Sequence, residues 1–490
     1  MRRAFLTGLV CCLLLGSRAS AHVGSPDVYY EGVAGPYRLF VTVRAPLMIP
    51  GIALVEVQVL EGAVSDIQIV PLRVVGEGSE TAPPADTMEQ SKSDPQFFTG
   101  KLWLMESGSF QVRMEITGAK GKAQMGVPVA AFAQRTLRMQ KTTGAILAVL
   151  MVFLVLSLVG ILGTATRESQ MDPGQAVPPG KRRSGRIAMV IAAAAILGIL
   201  FLGNMWWTSV ANANARDMVY KPPPMQVSIS NTNQLTLKLG SSYWHELRRS
   251  EQLDKIIPDH GHLMHLFLIR MPELDDFYHL HPEESAAQTF TELSPSMAGG
   301  HYAVFADIVR ESGFPDTMTA QIDLPTSEKS QPLTGDDSHA AAPKVSGVRT
   351  STATAPLSGD EHVEWVPGNQ ALQVLKPTLL RFRVVDKNGA PATDLEPYMG
   401  MAGHLVILRR DLSVFAHVHP AGSVPMAALM LLNKEPAENM AVMPGMPHAS
   451  APAEITFPYG FPQAGDYRLF LQVKRAGHVE TAVFDATIQP

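Results

Sequence analysis

Residues 277–282 read Phe277-Tyr-His279-Leu-His281-Pro282, and residues 415–420 read Phe415-Ala-His417-Val-His419-Pro420. Each stretch follows a run that opens on histidine, His265-Leu-Phe-Leu-Ile-Arg270 in one case and His404-Leu-Val-Ile-Leu-Arg409 in the other. Each is followed by glycine, one residue and tyrosine, at Gly300-His-Tyr302 and Gly465-Asp-Tyr467. Short apolar runs bounded by turn formers read as strands. Three such elements recurring in one order mark an internal repeat, and two β domains are expected at 225–325 and 361–490. The second copy carries an insertion between its His-x-His-Pro and its glycine.

Histidines two apart on a strand leave the same face. A hairpin turning around Met271 to Asp276 sets His265 opposite His281 and Phe267 opposite His279. In the second copy a turn at Arg410-Asp411 sets His404 opposite His419 and keeps His417 on that face. Opposed Cβ atoms stand about 4.5–5.5 Å apart, so three imidazoles are expected to cluster at the end of each hairpin. A register slip of one residue would scatter them.

Upstream, the copies differ. His260 and His262 in the first fall where Met399 and Met401 stand in the second, and the insertion adds Met440, Met443, Met446 and His448. Imidazole suits Cu(II), zinc and nickel, while thioether adds preference for Cu(I). The expected first site is nitrogen-rich and the second mixes nitrogen with sulfur. Copper, as Cu(I) or Cu(II), accounts for both, and zinc is the alternative that accounts for the histidines alone. The competing reading makes the histidines packed, non-ligating residues of a structural or interaction module, and the methionines gap-filling core residues. His339, His362 and His478 read as loop or surface residues, whereas His245 and His301 could join the first cluster.

The His-Leu strand, the turn, the His-x-His-Pro strand and the Gly-x-Tyr that follows resemble the YtkA-like and FixH-like periplasmic β-sandwich modules. The approach Asp386-Lys-Asn-Gly-Ala-Pro391, Asp394-Leu395 and Met399-Gly400 extends the likeness in the second copy. His22, just after an expected cleavage point, is similar in placement to the leading histidine ligand of CopC-type copper proteins. The resemblance implies immunoglobulin-like sandwiches, copper handling, and a partner among envelope copper-handling or oxidase-assembly proteins.

The rest of the chain sets an address. Arg2, Arg3, an apolar run and Ala19-Ser-Ala21 read as a signal peptide over 1–21. No charge stands between Lys141 and Arg167, long enough for a membrane-spanning helix at 142–166, and a second span is expected at 187–207, closing on Trp206 and Trp207. Arg167, Lys181, Arg182, Arg183 and Arg186 make 167–186 a cytoplasmic loop. Both soluble regions would then lie on the periplasmic side of an inner membrane. Alternating runs at 22–133 predict a further β-sandwich, Lys221-Pro-Pro-Pro224 a stiff spacer, and 326–360 a flexible linker. The expected fold class is therefore mainly β, with three immunoglobulin-like β-sandwich domains plus two transmembrane helices.

Composition narrows the chemistry. The 490 residues carry a net charge of -5, with no cationic excess for nucleic acid. Cys11 and Cys12 are the only cysteines, so past the signal segment there is no thiol for disulfides, thiolate sites or nucleophilic catalysis. Of 15 histidines, all but His22 follow Tyr243. No Gly-x-Ser-x-Gly elbow, phosphate loop or His-Glu-x-x-His helix is present, and the sequence reads as non-enzymatic.

Overall fold

The structure, a computed structural model, describes residues 26–76, 78–137, 139–326, 332–344, 353–366, 371–434 and 450–490. The segment 1–21, His22, and Met440, Met443, Met446 and His448 lie outside the described residues. The chain is mainly β, built from antiparallel sheets, with two long apolar helices. It divides into a helical unit at 133–220 and a β unit formed by the remainder.

In the helical unit, Lys141–Glu168 and Pro179–Met218 are long and apolar enough to cross a membrane. Leu147, Val152, Phe153 and Leu158 are all exposed, so the first helix presents apolar side chains around its circumference, as a helix in lipid does. The helices meet at Gly163 and Gly185; a Cβ on Gly163 would come within 2.4 Å of the Met189 side chain. Small residues permit that approach. The second helix is longer than the expected 187–207. It starts with Pro179 in its first turn, a position that spares a hydrogen bond. Lys181, Arg182, Arg183 and Arg186 then propagate it through what was expected to be loop.

In the β unit, residues 28–131 form a five-stranded and a four-stranded sheet. Strand Gly51–Glu61 alternates strictly, burying Ala53, Val55, Val57 and Val59 against Ile67, Ile69, Met114 and Ile116 of the second sheet. Each repeat also pairs two sheets over one core. In the first, strands His265–Met271, Asp276–Leu280 and Gly300–Arg310 share a six-stranded sheet; in the second, His404–Arg409, Phe415–Val418 and Gly465–Arg475 share a five-stranded one. The recurring tyrosine has a local cause. The Tyr302 hydroxyl donates to Ala298 O at 3.0 Å and that of Tyr467 to Gln463 O at 2.7 Å, pinning the same strand in both copies.

The hairpin registers pair Phe267 with His279 and Val406 with His417. These are the pairings the turn positions implied. The expected flexible linker needs correcting. Within 326–360, Ser338–Ala341 is an edge strand on Asp276–Leu280, and Thr354–Pro356 pairs with His362–Val366. Small Ser and Ala side chains look like linker composition yet fit a covered sheet edge.

The two repeats pack through these sheets. Phe267, Ile269, Phe277 and Phe305 of the first form one core with Val406, Leu408, Phe415 and Phe470 of the second. Phe277 stacks on Phe470 at 4.3 Å and Phe305 on Phe415 at 4.2 Å. By motif alignment Phe277 corresponds to Phe415, and Phe305 to Phe470. Each stacked pair therefore joins unlike positions, and the second pair is the first with the repeats exchanged, as across a two-fold axis.

Candidate metal centre

That exchange brings the histidine ends of both hairpins together. His260, His404 and His419 offer nitrogens that lie within 4.8 Å of one another, and so do His265, His279 and His281. The first trio is crossed: His260 belongs to one repeat, His404 and His419 to the other. Its ring lies 5.1 Å from that of His404 and 4.7 Å from that of His419. The sequence reading placed His260 with its own repeat, because local periodicity does not reveal which sheet faces meet.

Tautomers follow from the outer partners. His260 Nδ1 donates to Met399 O at 3.1 Å, and His419 Nδ1 to Val424 O at 3.3 Å. A neutral imidazole has one N–H, so each Nε2 keeps a bare lone pair. Neither has a partner, and both His404 nitrogens are likewise buried and unpartnered. Leaving a buried polar group unmatched costs about 1–3 kcal/mol. Three such groups converging on one point are arranged as ligands are, two of them, His260 and His419, oriented by a hydrogen bond from the other ring nitrogen.

In the second trio, His265 Nε2 donates to Asp259 O at 3.1 Å and His279 Nδ1 to Gln472 Oε1 at 2.8 Å. Gln472 is held by its amide, which donates to Ser338 Oγ. His265 Nδ1 and His279 Nε2 therefore face each other as two acceptors, 3.2 Å apart. Two acceptors at that distance repel unless a cation joins them. Ligands about 2.0–2.1 Å from a tetrahedral ion are about 3.3 Å apart. His281 Nδ1 lies 2.9 Å from Asp337 Oδ1, and its Nε2 is unpartnered.

Electrostatics favour the metal-ready form. Burial pushes His260 down to about 4 and His265 and His419 to about 3, and neighbouring imidazoles push the same way on His260 and His265, as His260 does on His419. His279, His281, His404 and His417 are also held well below the usual range by burial. All seven are neutral at neutral pH, so an ion need not displace protons.

The remaining candidates are placed as follows. His417 lies between the trios, its Nε2 unpartnered and its Nδ1 3.6 Å from Asp307 Oδ2. His262 stacks on His281 at 4.0 Å, with its side chain 29% exposed and Nε2 3.3 Å from Asp336 Oδ2. Met399 contributes its carbonyl to His260. Met401 sits in an apolar core with Val424, Met426 and Leu429, and packing accounts for it. His245 lies outside the cluster, bonded to Ser242 Oγ at 2.7 Å and to Asp316 at 3.0 Å. Ser242 also caps the short helix Tyr243–Glu246, a structural use of a serine, histidine and aspartate. His301 and His339 pair with Asp323 and Asp276.

Sequence reasoning missed Asp259, Asp307, Asp336, Asp337, Gln472 and Tyr398, whose hydroxyl donates to Asp336 O at 2.7 Å and lies 3.3 Å from His279 Nδ1. Two carried a signal. Asp307 and Gln472 occupy equivalent places on the third strand and pair with His265 and His404, so extending the register by one strand would have found them. Burial pushes the Asp307 carboxyl up to about 7 and Asp337 up to about 6.

Residues 358–490, which include the second repeat, match the family model described as Domain of unknown function (DUF8832). No curated protein matches the chain. Among solved structures, it is similar to a tetra-tandem repeat from the extending region of a large adhesion protein, at 8% identity, covering 90% of this chain and 71% of that one with a TM-score of 0.16. It is also similar to trypsin-activated alpha-2-macroglobulin from Escherichia coli, at 8% identity over 97% of this chain and 24% of that one, TM-score 0.17. Likenesses that weak carry no argument about function.

Proposed function

We propose that the chain is a membrane-anchored metal-binding protein of the cell envelope that binds, buffers or delivers copper. One observation carries the reading: three buried imidazoles from two repeats, His260, His404 and His419, aim unpartnered nitrogens at one another. Packing alone gives no reason to bury those nitrogens unmatched. Copper is favoured over zinc because nitrogen sites bind Cu(II) more tightly in the divalent series, and because the insertion carries Met440, Met443, Met446 and His448. Copper is cargo here, and the protein is read as non-enzymatic.

The finer architecture belongs to the same proposal. The three pairs of sheets are read as immunoglobulin-like sandwiches of the YtkA-like and FixH-like kind. The helices Lys141–Glu168 and Pro179–Met218 anchor them to the inner membrane, with the soluble regions on the periplasmic face and Lys181, Arg182, Arg183 and Arg186 on the cytoplasmic side. A partner would be an envelope copper-handling or oxidase-assembly protein.

The test is equilibrium dialysis of the detergent-purified full-length protein against copper and zinc separately, followed by elemental analysis. Copper retained after washing, and reduced in the His404→Ala/His419→Ala variant, is the expected result. No retained metal of either kind would make the histidines packing residues of an interaction module.

A further inference from the structure

We infer that the histidine cluster holds two metal ions as neighbours, one on His260, His404 and His419 and one on His265, His279 and His281, with His417 lodged between them. This rests on the metal-binding reading and adds number, adjacency and inequality to it. The repeat exchange provides the argument. His265 corresponds to His404 and His281 to His419, so the two trios share a pair of equivalent ligands. The third ligand differs. The first trio takes His260 from across the interface, whereas the equivalent position in the other copy is Met399. The second trio takes His279 from its own hairpin instead. His417, the equivalent of His279, is then left with a buried Nε2 that neither trio uses.

Distances place the trios side by side. The His260 and His265 rings are 5.9 Å apart, and those of His279 and His404 are 6.5 Å apart. The His417 ring lies 5.2 Å from His265 and 5.8 Å from His279 on one side, 5.3 Å from His404 and 4.6 Å from His419 on the other. Two buried cations this close require counter-charge, and carboxylates ring the cluster. Asp259 Oδ2 is 4.0 Å from His260 Nε2, Asp307 borders His417, and Asp337 borders His281. The ligand is thus a pair of first-row transition ions with imidazole affinity, copper above all.

Titrating the full-length protein with Cu(II), with total copper measured by elemental analysis and spin by electron paramagnetic resonance, tests the proposal. Two ions per chain are expected, and the spectrum at the second equivalent should broaden and show a half-field transition from spin–spin interaction. His279→Ala/His281→Ala and His404→Ala/His419→Ala should each reduce copper to one ion per chain and restore an isolated-ion spectrum. The wild-type measurement decides even if a variant misfolds. One ion per chain, or two whose spectra simply add, would overturn the paired centre while leaving metal binding intact. No bound copper would remove both.

Discussion

The two repeats share a hairpin, a register and a pinned tyrosine, yet what surrounds each is different. The first is flanked by the segment carrying Asp336, Asp337 and Ser338, and its His262 is the partly open imidazole of the cluster. The second is flanked by the helix Met426–Asn433, which packs into the core of residues 28–131. There the backbone that orients His419 is fixed twice, because Glu31 N donates to Ala421 O and Ser423 N to Tyr29 O at 2.8 and 2.9 Å. Duplication built a two-fold interface. Divergence then made one end accessible and the other closed. The pairs His260/Met399 and Asp307/Gln472 are where the symmetry fails, and they lie in or beside the trios.

The interface should show the largest effect when broken. Phe→Ala in a packed core costs about 3–5 kcal/mol, so Phe470→Ala, which removes the ring stacked on Phe277, is expected to lower unfolding free energy by about that much. Chemical denaturation followed by tryptophan fluorescence measures it. A loss no larger than that of an exposed site such as Val33→Ala would mean the repeats do not depend on one another.

Acidity should act next. Seven histidines favour the neutral form in the fold, so below the ordinary value of 6.5 the unfolded chain binds more protons. Their stabilisation is present above 6.5 and is lost as pH falls toward the folded values of about 4 and 3. Glu292, Asp307 and Asp337, raised to about 7, 7 and 6 by burial, work in the opposite sense, but the imidazoles outnumber them. The metal-free chain should therefore melt at progressively lower temperature from pH 7 to pH 5. A flat profile there would mean the histidines are not held neutral.

The smallest effect concerns access. His262→Ala should slow copper loading in a stopped-flow absorbance experiment while leaving the final copper content unchanged, since His262 stacks on His281 at the open end. An unchanged rate would place the port elsewhere.

Much of each half was legible in the sequence. Turn position fixed where His279 and His281 face relative to His265, and the register confirms it. The union of the halves was harder to see, although Leu266-Phe-Leu-Ile269 and Leu405-Val-Ile-Leu408 carried the cue. A strand with one wet face alternates, whereas a continuous apolar run signals burial on both. Asp336 and Asp337 were hidden because an acidic, small-residue stretch reads as solvated linker until its partners are known. The crossing of His260 depends on its loop, where His260 itself has a positive φ of 54°; periodicity carries no information on such a bend.

The claim that the centre is shared between repeats is tested most directly by copper competition titration of the full-length His260→Ala protein, in which every ligand from the second repeat is intact. The shared centre predicts that one of the two ions is lost although His404 and His419 remain. Copper content and affinity equal to the wild type would show that His260 binds nothing and that the repeats do not share a site.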